Sequence, residues 1–324
     1  VDPRLPASPA QPLFDYLSPL SWHRTAGAIA AAAPAAVLVP WWTSFWGLPV
    51  RALFRALARR APGVARVMLC HNVEDHESGL LQRFLTQGAL GAANAFIVHS
   101  EANRAVLRRR FPEAAALNVP LPSLASGQAG ADRGQARRAL SLGPEPLVLF
   151  LGLVRRYKGV DVLLEAAPAI AAETGARIAI VGEVFPDMAG IRRQWEESPA
   201  RERIIWKDEY VSEREMALWL GACDAVVLPY RQISSSAIAA RALGAGRPVA
   251  AAAVGGLAES IEAGVTGELF APGDAAGLVA AVRTILARGG AAYEPGLAAA
   301  SARRSWPRYA EAIFDFVSTL KAGR

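Results

Sequence analysis

FLGLVRRYKGVDVLLEA, residues 150–166, combines the end of an apolar strand, a short basic loop and the start of a helix. The apolar run 147–152 has the length of a buried strand, and apolar positions recur at helical spacing from Val160 onward. Gly152 permits a tight turn and Gly159 permits a close approach of the backbone to a ligand. A strand, a glycine-bearing loop and a helix in this order are typical of the ligand-binding edge of a parallel α/β sheet.

The same alternation of apolar runs and helical stretches extends in both directions and predicts two parallel sheets covered by helices. The predicted strands are 35–41, 65–70, 94–100, 117–120, 147–152, 177–182, 203–206, 225–230, 248–253 and 267–272. The predicted helices are 50–61, 80–90, 101–111, 160–173, 188–197, 213–222, 236–245, 256–263 and 274–287. The fold class is therefore α/β with two Rossmann-like domains, of which the second is completely doubly wound.

Composition also divides the chain. An N-terminal domain (1–120) is followed by a linker (121–146) that is rich in Pro, Gly, Ser and Ala and contains a short helix at 132–141. A C-terminal domain (147–300) and a closing helical stretch (301–324) complete the chain. We expect the closing helix to carry Trp306 and Phe314 on a buried face, and it is a candidate to pack back on the N-terminal domain.

The overall composition fits a globular protein with an anionic partner. Apolar residues make up 52% of the 324 residues and charged residues 20%, which excludes a disordered chain. The net charge of +6 favours nucleotide diphosphates, anionic lipid surfaces or nucleic acid, although a basic surface without a partner is equally compatible. The apolar stretch 26–39 is too short to span a membrane, and no signal peptide is visible.

The two cysteines point to a reducing compartment. Cys70 and Cys223 lie far apart in the sequence, and each ends or adjoins an apolar run. We expect both thiols to be reduced in a core, which suits a cytoplasmic protein. No spacing of candidate ligands indicates a metal site.

The loop within 150–166 carries three cationic side chains. Arg155, Arg156 and Lys158 follow the strand that ends at Gly152, where an anion is the natural ligand. Lysine is rare in this chain, so a lysine inside a loop motif is informative. The alternative is an ordinary solvated basic loop.

A second loop favours the anion site. In AVVLPYRQISSSAIAARALGAGRPVAAAAVGG, residues 225–256, a strand ends at Tyr230 and a helix begins near Ser236. Ser234, Ser235 and Ser236 lie where hydroxyl groups and free backbone N–H groups converge at a helix start. Simple capping is the alternative, but it needs only one serine. The sequence therefore predicts a diphosphate site formed by both loops.

Read in order, these motifs resemble a known family. GxxxxxKGxDxLLxA, VxLPY, a serine-containing helix start, GxGRPVxAxxVGGLxExI and GVTGxLxxPGD look like glycosyltransferase family 4, whose members have the GT-B fold of two Rossmann-like domains facing each other across a cleft. VPWWTSFWGLP (39–49), CHNVEDHE (70–77) and FIVHSE (96–101) match a bacterial branch of that family. The resemblance covers nearly the whole chain.

The resemblance implies site residues. Lys158 and Arg155 would hold the donor diphosphate with Gly152 and Ser234–Ser236, while Gly182, Glu183 and the 208–211 loop with Tyr210 would border the base and ribose. Two positions depart from the family. Leu153 replaces the arginine that usually follows the motif's first glycine. The family's two glutamates fall on Ile233 and Arg241, which cannot accept a hydrogen bond from a sugar hydroxyl.

The histidines all lie in the first half of the chain. His71 follows a predicted strand, with Glu74 and His76 close behind, so His71 is a candidate to contact the donor sugar or leaving group, and a carboxylate is a candidate base for the acceptor. The alternative for His71 is capping of its strand end. For His99 we expect a hydrogen bond to the backbone.

Aromatic residues cluster before the first predicted helix. Trp41, Trp42, Phe45 and Trp46 are too close in sequence to share one buried face, so some are expected on an acceptor-binding or lipid-facing surface. The helix at 50–61 is basic and amphipathic. Together they suggest an anionic membrane surface as a partner, with core packing as the alternative for each ring.

The beginning of the chain differs from the family pattern. Family members open with a β-α-β unit that contains a Gly-rich loop, whereas residues 1–34 resemble the segment that follows this unit. We therefore expect an N-terminally truncated chain whose first domain lacks its opening unit and has an exposed sheet edge.

Together these features predict a metal-independent glycosyltransferase. The resemblance to family 4 implies that the anomeric configuration of the transferred sugar is retained. The enzyme would transfer a sugar from a nucleoside-diphosphate sugar to a lipid-linked or polysaccharide acceptor, at the cytoplasmic face of a membrane and without nucleic acid. The principal alternative is a degenerate relative that binds nucleotide without catalysis. A sugar-nucleotide epimerase is a third reading. A dinucleotide-dependent oxidoreductase is weaker, because no strand–helix turn carries GxGxxG.

Overall fold

The computed structural model describes residues 13–73, 79–124 and 132–322. The chain forms two compact units. The first comprises the residues up to Val98, 103–118 and the end of the chain from Ala312, and the second comprises His99–Ala102 and Val119–Glu311. Each contains one wholly parallel sheet, which confirms the predicted α/β class.

The first unit has a four-stranded sheet in the order β1-β2-β3-β4. Its elements are α1 (Pro19–Ala32), β1 (Ala36–Trp41), α2 (Gly47–Arg60), β2 (Ala65–Cys70), α3 (Leu80–Leu90), β3 (Ala95–Val98), α4 (Glu101–Arg110) and β4 (Ala115–Asn118). Because crossovers between parallel strands are right-handed, the helices that join strands in chain order lie on one face. In the part of the sheet that is described, β1 and β4 are the edges.

The second unit has a six-stranded sheet in the order β10-β9-β8-β5-β6-β7. Its strands are β5 (Leu147–Leu151), β6 (Arg177–Val181), β7 (Ile204–Lys207), β8 (Ala225–Leu228), β9 (Val249–Ala252) and β10 (Gly267–Phe270). Its helices are α5 (Arg133–Ala139), α6 (Val160–Thr174), α7 (Ile191–Glu196), α8 (Glu213–Ala222), α9 (Ala237–Gly244), α10 (Gly255–Ser260), α11 (Ala275–Arg288) and α12 (Glu294–Arg303).

The strand order of the second unit reverses between β5 and β8. The chain leaves β5 toward β6 and leaves β8 toward β9, so the loops after these two neighbouring strands diverge. Such a reversal opens a crevice at the carboxyl ends of the strands, where α/β sheets bind ligands. Both loops singled out in the sequence, after β5 and after β8, therefore border one crevice.

The second unit is held by a continuous apolar core. Every residue of β5, β8 and β9 is buried, as expected for strands covered by helices on both faces. Burial of each large aliphatic side chain contributes roughly 1.5–3 kcal/mol. The crevice thus lies on a rigid scaffold.

The linker helix is anchored to the second unit. Arg137 of α5 is buried, and its guanidinium donates hydrogen bonds to the carbonyl of Ala222 and to Asp224. The Asp224 carboxylate also accepts from the backbone N–H of Leu147, at the start of β5. The short helix predicted at 132–141 is confirmed, and residues 125–131 of the predicted linker lie outside the described residues.

The last helix corrects one prediction. In α13 (Trp306–Ala322), Trp306 is 57% exposed and Phe314 is 73% exposed, so they do not form a buried face. The half-buried side chains of Tyr309, Ile313 and Phe316 recur at three- and four-residue spacing instead. Phe314 lies about 100° around the helix from Ile313 and so points away from that stripe.

Both cysteines are free and fully buried, Cys70 in the first unit and Cys223 in the second. Burial raises the pKa of both thiols, that of Cys223 to about 12. Among the described helices, none is both long enough and apolar enough to cross a bilayer.

Candidate functional site

The loop after β5 turns tightly against the loop after β6. Gly152 has a φ of +104°, a conformation that a residue with a side chain rarely adopts. A Cβ at Gly182 would overlap the carbonyl of Gly152, so the two loops meet with no room for a side chain. A 3-10 turn at Arg156–Lys158 then brings the chain to α6.

The loop after β8 meets the same glycine. A Cβ built at Gly152 would lie 3.2 Å from Lys158 Nζ and 3.6 Å from the side chain of Ile238, in the first turn of α9. The lysine ammonium and the first turn of α9 therefore both lie against Gly152. Ser236 caps α9, its hydroxyl accepting from the N–H of Ala239 at 3.1 Å. Ser234 is buried and Ser235 is half-buried. We call Gly152, Arg155, Lys158 and Ser234–Ser236 the cradle.

Lys158 is a nearly buried cation. Its residue is only 8% exposed, and its pKa falls from the ordinary 10.5 to about 8. Burial is the main cause and the positive charge of Arg155 the second. The ammonium lies 5.7 Å from the centre of the Tyr230 ring, whose buried hydroxyl is hydrogen-bonded to Ser236. Tyr230 therefore links the lysine to the capping serine of α9.

Arg155 is held beside Lys158 by the loop after β6. Its guanidinium lies over the Phe185 ring, 4.4 Å from the centroid, and its Nε is 3.7 Å from Asp187 Oδ1. The side chain is 29% exposed, so it remains accessible to a ligand. Phe185 and Asp187 thus fix the direction of Arg155.

The cradle is organised to accept an anion. The positive charges of Arg155 and Lys158 lie close enough to repel each other. The Lys158 ammonium is also largely shielded from solvent. The start of α9, with the positive end of its helix dipole, adds to their field. An anion bound there would offset both the repulsion and the loss of hydration.

Arg156 does not take part in the cradle. Its side chain is exposed and lines an open cleft of about 410 Å³ together with Asp161, Asp187 and Arg231. Arg231 forms a bidentate pair with Asp161 at 2.6–2.7 Å. The structure thus brings Arg155 and Lys158 together and directs the Arg156 side chain to the neighbouring cleft, because the 3-10 turn sends successive side chains to different sides.

The residues predicted to border the nucleoside follow β6 and β7. Glu183 is exposed directly after Gly182, and Tyr210 is 76% exposed in the loop before α8. Asp208 fixes this loop by accepting hydrogen bonds from the Val184 N–H at 2.9 Å and from Arg192 at 3.0 Å. An exposed ring on a fixed loop can stack on a flat base.

The acceptor-side candidates lie in the first unit. The His71 imidazole stacks on the indole of Trp42, with centroids 5.4 Å apart and planes 6° apart. Burial lowers the pKa of His71, which favours the neutral ring. Trp42 is 53% exposed, and Trp46 is half-buried against Phe14, Tyr16 and Phe45.

Four other residues singled out in the first half of the sequence have different outcomes. Trp41 is 2% exposed and belongs to the core of the first unit, so its ring offers no surface to an acceptor, because β1 directs this side chain inward. Glu74 and His76 lie outside the described residues. His99 is buried with Nδ1 2.9 Å from the carbonyl oxygen of Val119, which is the backbone contact expected for it.

Several residues of the site carry no local sequence signal. Tyr230, Phe185 and Asp187 act through contacts between loops that follow different strands. The strand-end position of Tyr230 was the only available hint. Across the described part of the chain, no group of three or more His, Cys, Asp or Glu side chains has the arrangement of a metal site.

Sequence comparison finds a family model that matches part of the chain. Residues 145–288 match the family model described as glycosyl transferases group 1. A D-inositol 3-phosphate glycosyltransferase of Xylanimonas cellulosilytica is 32% identical over 202 residues, which cover 60% of this chain and 46% of the relative. A glycogen synthase of Mycobacterium tuberculosis is 33% identical over 156 residues, covering 47% of this chain and 36% of the relative. The chain therefore spans less than half the length of these curated relatives.

Solved structures share the fold. Sucrose-phosphate synthase from Thermosynechococcus elongatus is similar with a TM-score of 0.75 at 21% identity, covering 98% of this chain and 83% of that protein. HepE of Anabaena in complex with UDP and glucose gives a TM-score of 0.71 at 17% identity, with coverages of 97% and 82%. The two parallel α/β units thus have the fold of GT-B glycosyltransferases, and residues 145–288, which contain the cradle, match the group 1 glycosyl transferase family.

Proposed function

We propose that this chain is a glycosyltransferase of family 4 that moves a sugar from a nucleoside-diphosphate sugar to a hydroxyl group. The observation that carries the proposal is the nearly buried ammonium of Lys158, which shares the cradle with Arg155 and the serine-capped start of α9. Burying a cation without a partner anion is unfavourable, so a site of this kind indicates an anionic ligand. The UDP complex of the structurally similar HepE supports the same ligand class.

The catalytic task of the cradle is to stabilise the departing diphosphate. Lys158 and Arg155 supply positive charge, and the amides at the start of α9 supply hydrogen bonds, where negative charge develops on the leaving oxygen. In this proposal the leaving phosphate oxygen takes the proton of the acceptor hydroxyl as the new glycosidic bond forms on the same face of the sugar, which gives retention without a protein nucleophile. We propose that this reaction needs no metal, so turnover in EDTA should equal turnover in Mg²⁺.

The first unit supports a proposal for the acceptor. Exposed apolar side chains cluster at the start of α2 and α3, and we call them the apolar patch: Tyr16, Leu17, Phe45, Leu48, Leu81 and Phe84. The rings of Tyr16 and Phe45 are 4.9 Å apart, and Gly47 lies directly against Leu85 of α3, so the segments adjoin one another. Large apolar side chains that are exposed next to one another are typical of an interaction surface.

The charges around the apolar patch favour an anionic bilayer. Helix α2 carries four arginines, Arg51, Arg55, Arg59 and Arg60, and no carboxylate. Arg55, Arg59 and Arg83 are exposed. Apolar side chains with surrounding cations bind the headgroup region of anionic membranes. We therefore propose a lipid-linked or membrane-bound polysaccharide acceptor, reached from the membrane surface, with the His71–Trp42 stack on the acceptor side.

Vesicle sedimentation tests the membrane proposal. The protein should bind vesicles of phosphatidylglycerol and phosphatidylcholine, and binding should weaken with added salt. The double variant Phe45→Ser/Phe84→Ser should lose at least about tenfold in partitioning, since two aromatic side chains no longer enter the bilayer. Trp306→Ser, at a comparably exposed ring of the second unit, is the matched control and should bind as the unmodified protein does. Equal binding by all three proteins would contradict the proposal.

Calorimetry and a turnover assay test the enzyme proposal. The protein should bind UDP or GDP and release it from the matching nucleotide sugar when an acceptor is present. Lys158→Ala should lower the rate by roughly 10²–10³, as for the loss of one charge-stabilising donor. Lys207→Ala, at a lysine paired with Glu209 and Glu215, should retain activity. Unchanged turnover in Lys158→Ala would refute the assigned role.

The alternative is a nucleotide-binding relative without catalysis. Ile233 and Arg241 occupy the positions of the family's two glutamates, which is the observation in its favour. Tight binding of nucleotide with no turnover against any acceptor would select this alternative. Conversion of the donor in the absence of an acceptor would instead select the epimerase reading.

A further inference from the structure

The side chain of Arg231 joins the two loops that form the cradle. Arg231 lies in the loop after β8, three residues before Ser234. Its guanidinium donates from Nη1 and Nη2 to the two carboxylate oxygens of Asp161, at 2.7 and 2.6 Å. Asp161 is in the first turn of α6, the helix that follows the Lys158 turn. The parallel fork geometry fixes the direction of both side chains.

The same arginine also holds the backbone of the Lys158 turn. Its Nη1 donates a further hydrogen bond to the carbonyl of Arg156 at 3.3 Å. Its backbone N–H donates to the carbonyl of Tyr157 at 2.7 Å. Arg231 therefore contacts the two residues before Lys158 and also Asp161 after it, so the turn is held on both sides of the lysine.

The backbones of the two loops meet at Gly159, directly after the lysine. Gly159 has a φ of +66°, and a Cβ there would overlap the carbonyl of Pro229. The same Cβ would lie 3.7 Å from Arg231 Nη1. The loops thus pack against each other with no side chain between them, and this close approach lets Arg231 reach across to α6.

The ion pair between Arg231 and Asp161 contributes more to geometry than to overall stability. Its side chains are 40% and 36% exposed. Burial acts to raise the pKa of Asp161, but the hydrogen bonds and positive charge of Arg231, together with backbone hydrogen bonds, hold it below its ordinary value. The pair is therefore ionised at neutral pH. Solvent screens a pair of this exposure, so its removal costs the folded state little.

We infer that Arg231 is a positioning residue for Lys158, and that it holds the lysine turn and the serine loop at the separation that one diphosphate requires. The inference rests on the proposed function, since it takes the ligand of the cradle to be a nucleoside diphosphate. Lys158 and Ser234–Ser236 come from loops after different strands. A ligand that contacts both loops binds more tightly when their separation is already fixed. A ligand that contacts one loop gains nothing from it.

Calorimetry with a nucleoside diphosphate and its monophosphate tests the inference. The probes are UDP and UMP, or GDP and GMP if guanine nucleotides bind more tightly. Each pair shares its base and ribose and differs in one phosphate. The unmodified protein should prefer the diphosphate by about tenfold or more. In Arg231→Ala this preference should fall at least about fivefold through weaker diphosphate binding, while the affinity for the monophosphate changes less than about twofold.

Asp161→Ala separates positioning from simple charge. If charge alone mattered, removal of an anion beside the cradle would strengthen the binding of a diphosphate. Positioning predicts the opposite, because Arg231 loses its anchor on α6, and the affinity for the diphosphate should fall by about threefold or more. The double variant Arg231→Ala/Asp161→Ala should lose no more than about twofold beyond Arg231→Ala, since the two residues act as one unit.

Two further variants distinguish a specific effect from general damage. Arg283→Ala removes another exposed ion pair of the second unit, formed with Glu173 at 2.7 Å, and should leave the affinities for both nucleotides unchanged. Arg231→Lys should keep part of the diphosphate preference, because an ammonium holds the Asp161 carboxylate with one contact in place of two. The melting temperature of Arg231→Ala should fall by no more than about 4 °C.

The possible failures are distinguishable. If the unmodified protein binds neither UDP nor GDP, the proposed function fails and the inference fails with it. If it binds one of them tightly and Arg231→Ala keeps the same preference over the monophosphate, only the inference is overturned. Equal losses of affinity for diphosphate and monophosphate would also overturn it, since they would assign Arg231 a purely structural role. Tighter diphosphate binding by Asp161→Ala would do the same, because the pair would then act through its charges alone.

Discussion

Replacing Lys158 with methionine should make the ligand-free protein more stable. The lysine pKa falls from 10.5 to about 8 in the folded protein, mainly because of burial. One pKa step corresponds to about 1.36 kcal/mol, so at pH 7 the charged ammonium costs the folded state about 3 kcal/mol. Methionine has a similar length and no charge. We expect Lys158→Met to raise the free energy of unfolding of the second unit by about 2–3 kcal/mol at pH 7.

The pH dependence gives the expected gain a specific signature. Between pH 8 and 10.5 the unfolded lysine binds a proton that the folded lysine has released, so the unmodified protein gains stability as pH rises through this window. The advantage of Lys158→Met should therefore shrink to about 1 kcal/mol near pH 9.5. Urea unfolding at several pH values measures it, and the melting temperature should rise by about 5–10 °C at pH 7.

Lys207 provides a control of opposite sign. Its hydrogen bonds to Glu215 and Glu209 raise its pKa, so its charge stabilises the folded state at neutral pH and that contribution is lost as pH rises through the folded pKa. Lys207→Met should show no gain at pH 7. Saturating UDP should stabilise the unmodified protein by about 2.7 kcal/mol at 100 times its dissociation constant and should hardly affect Lys158→Met. If Lys158→Met gains nothing at pH 7, or gains equally at every pH, the buried-cation argument is wrong.

Three more outcomes are expected. UDP affinity should fall by about tenfold between pH 7.5 and 9.5, since Lys158 loses its proton near pH 8, and Lys158→Arg should abolish this dependence in the same calorimetric titration. Gly152→Ala should weaken UDP binding at least about tenfold, because the φ of +104° strains any residue with a side chain and the new methyl group would push the Lys158 ammonium, 3.2 Å away, out of its place; a dissociation constant within twofold of the original would contradict this. Tyr230→Phe should lower the stability of the second unit by about 1 kcal/mol in urea, because the hydrogen bond between the buried Tyr230 hydroxyl and Ser236 is lost, and an unchanged midpoint would count against that contact.

The strands and most helices could be predicted from local pattern alone. Each strand of the second unit is a short apolar run, and its period distinguishes it from the helices that cover it. The final helix shows the limit of this approach. Trp306 and Phe314 are large and apolar, yet the stripe that becomes half-buried passes through Tyr309 and Ile313. Residue size does not specify which face of a helix finds a partner.

The candidate site was predictable where single loops carry it. Lys158, Arg155 and the serine-lined helix start are local features, and parallel topology necessarily brings their loops to one sheet edge. The direction of each side chain was not predictable. Arg156 turns toward another cleft, and the partners of Arg155 come from residues 185–187. The pairing of Arg231 with Asp161 joins residues 70 positions apart, so neither segment alone predicts it.

The buried thiols give each unit its own reporter of opening. Cys70 and Cys223 are the only cysteines of the chain, one in each unit, and each is inaccessible with a raised pKa. A thiol of this kind reacts with an alkylating reagent only after its surroundings open. Single-cysteine variants with the other residue changed to alanine would therefore yield two separate opening free energies. Nucleotide added to such an experiment should slow the labelling of Cys223 and leave that of Cys70 unaltered.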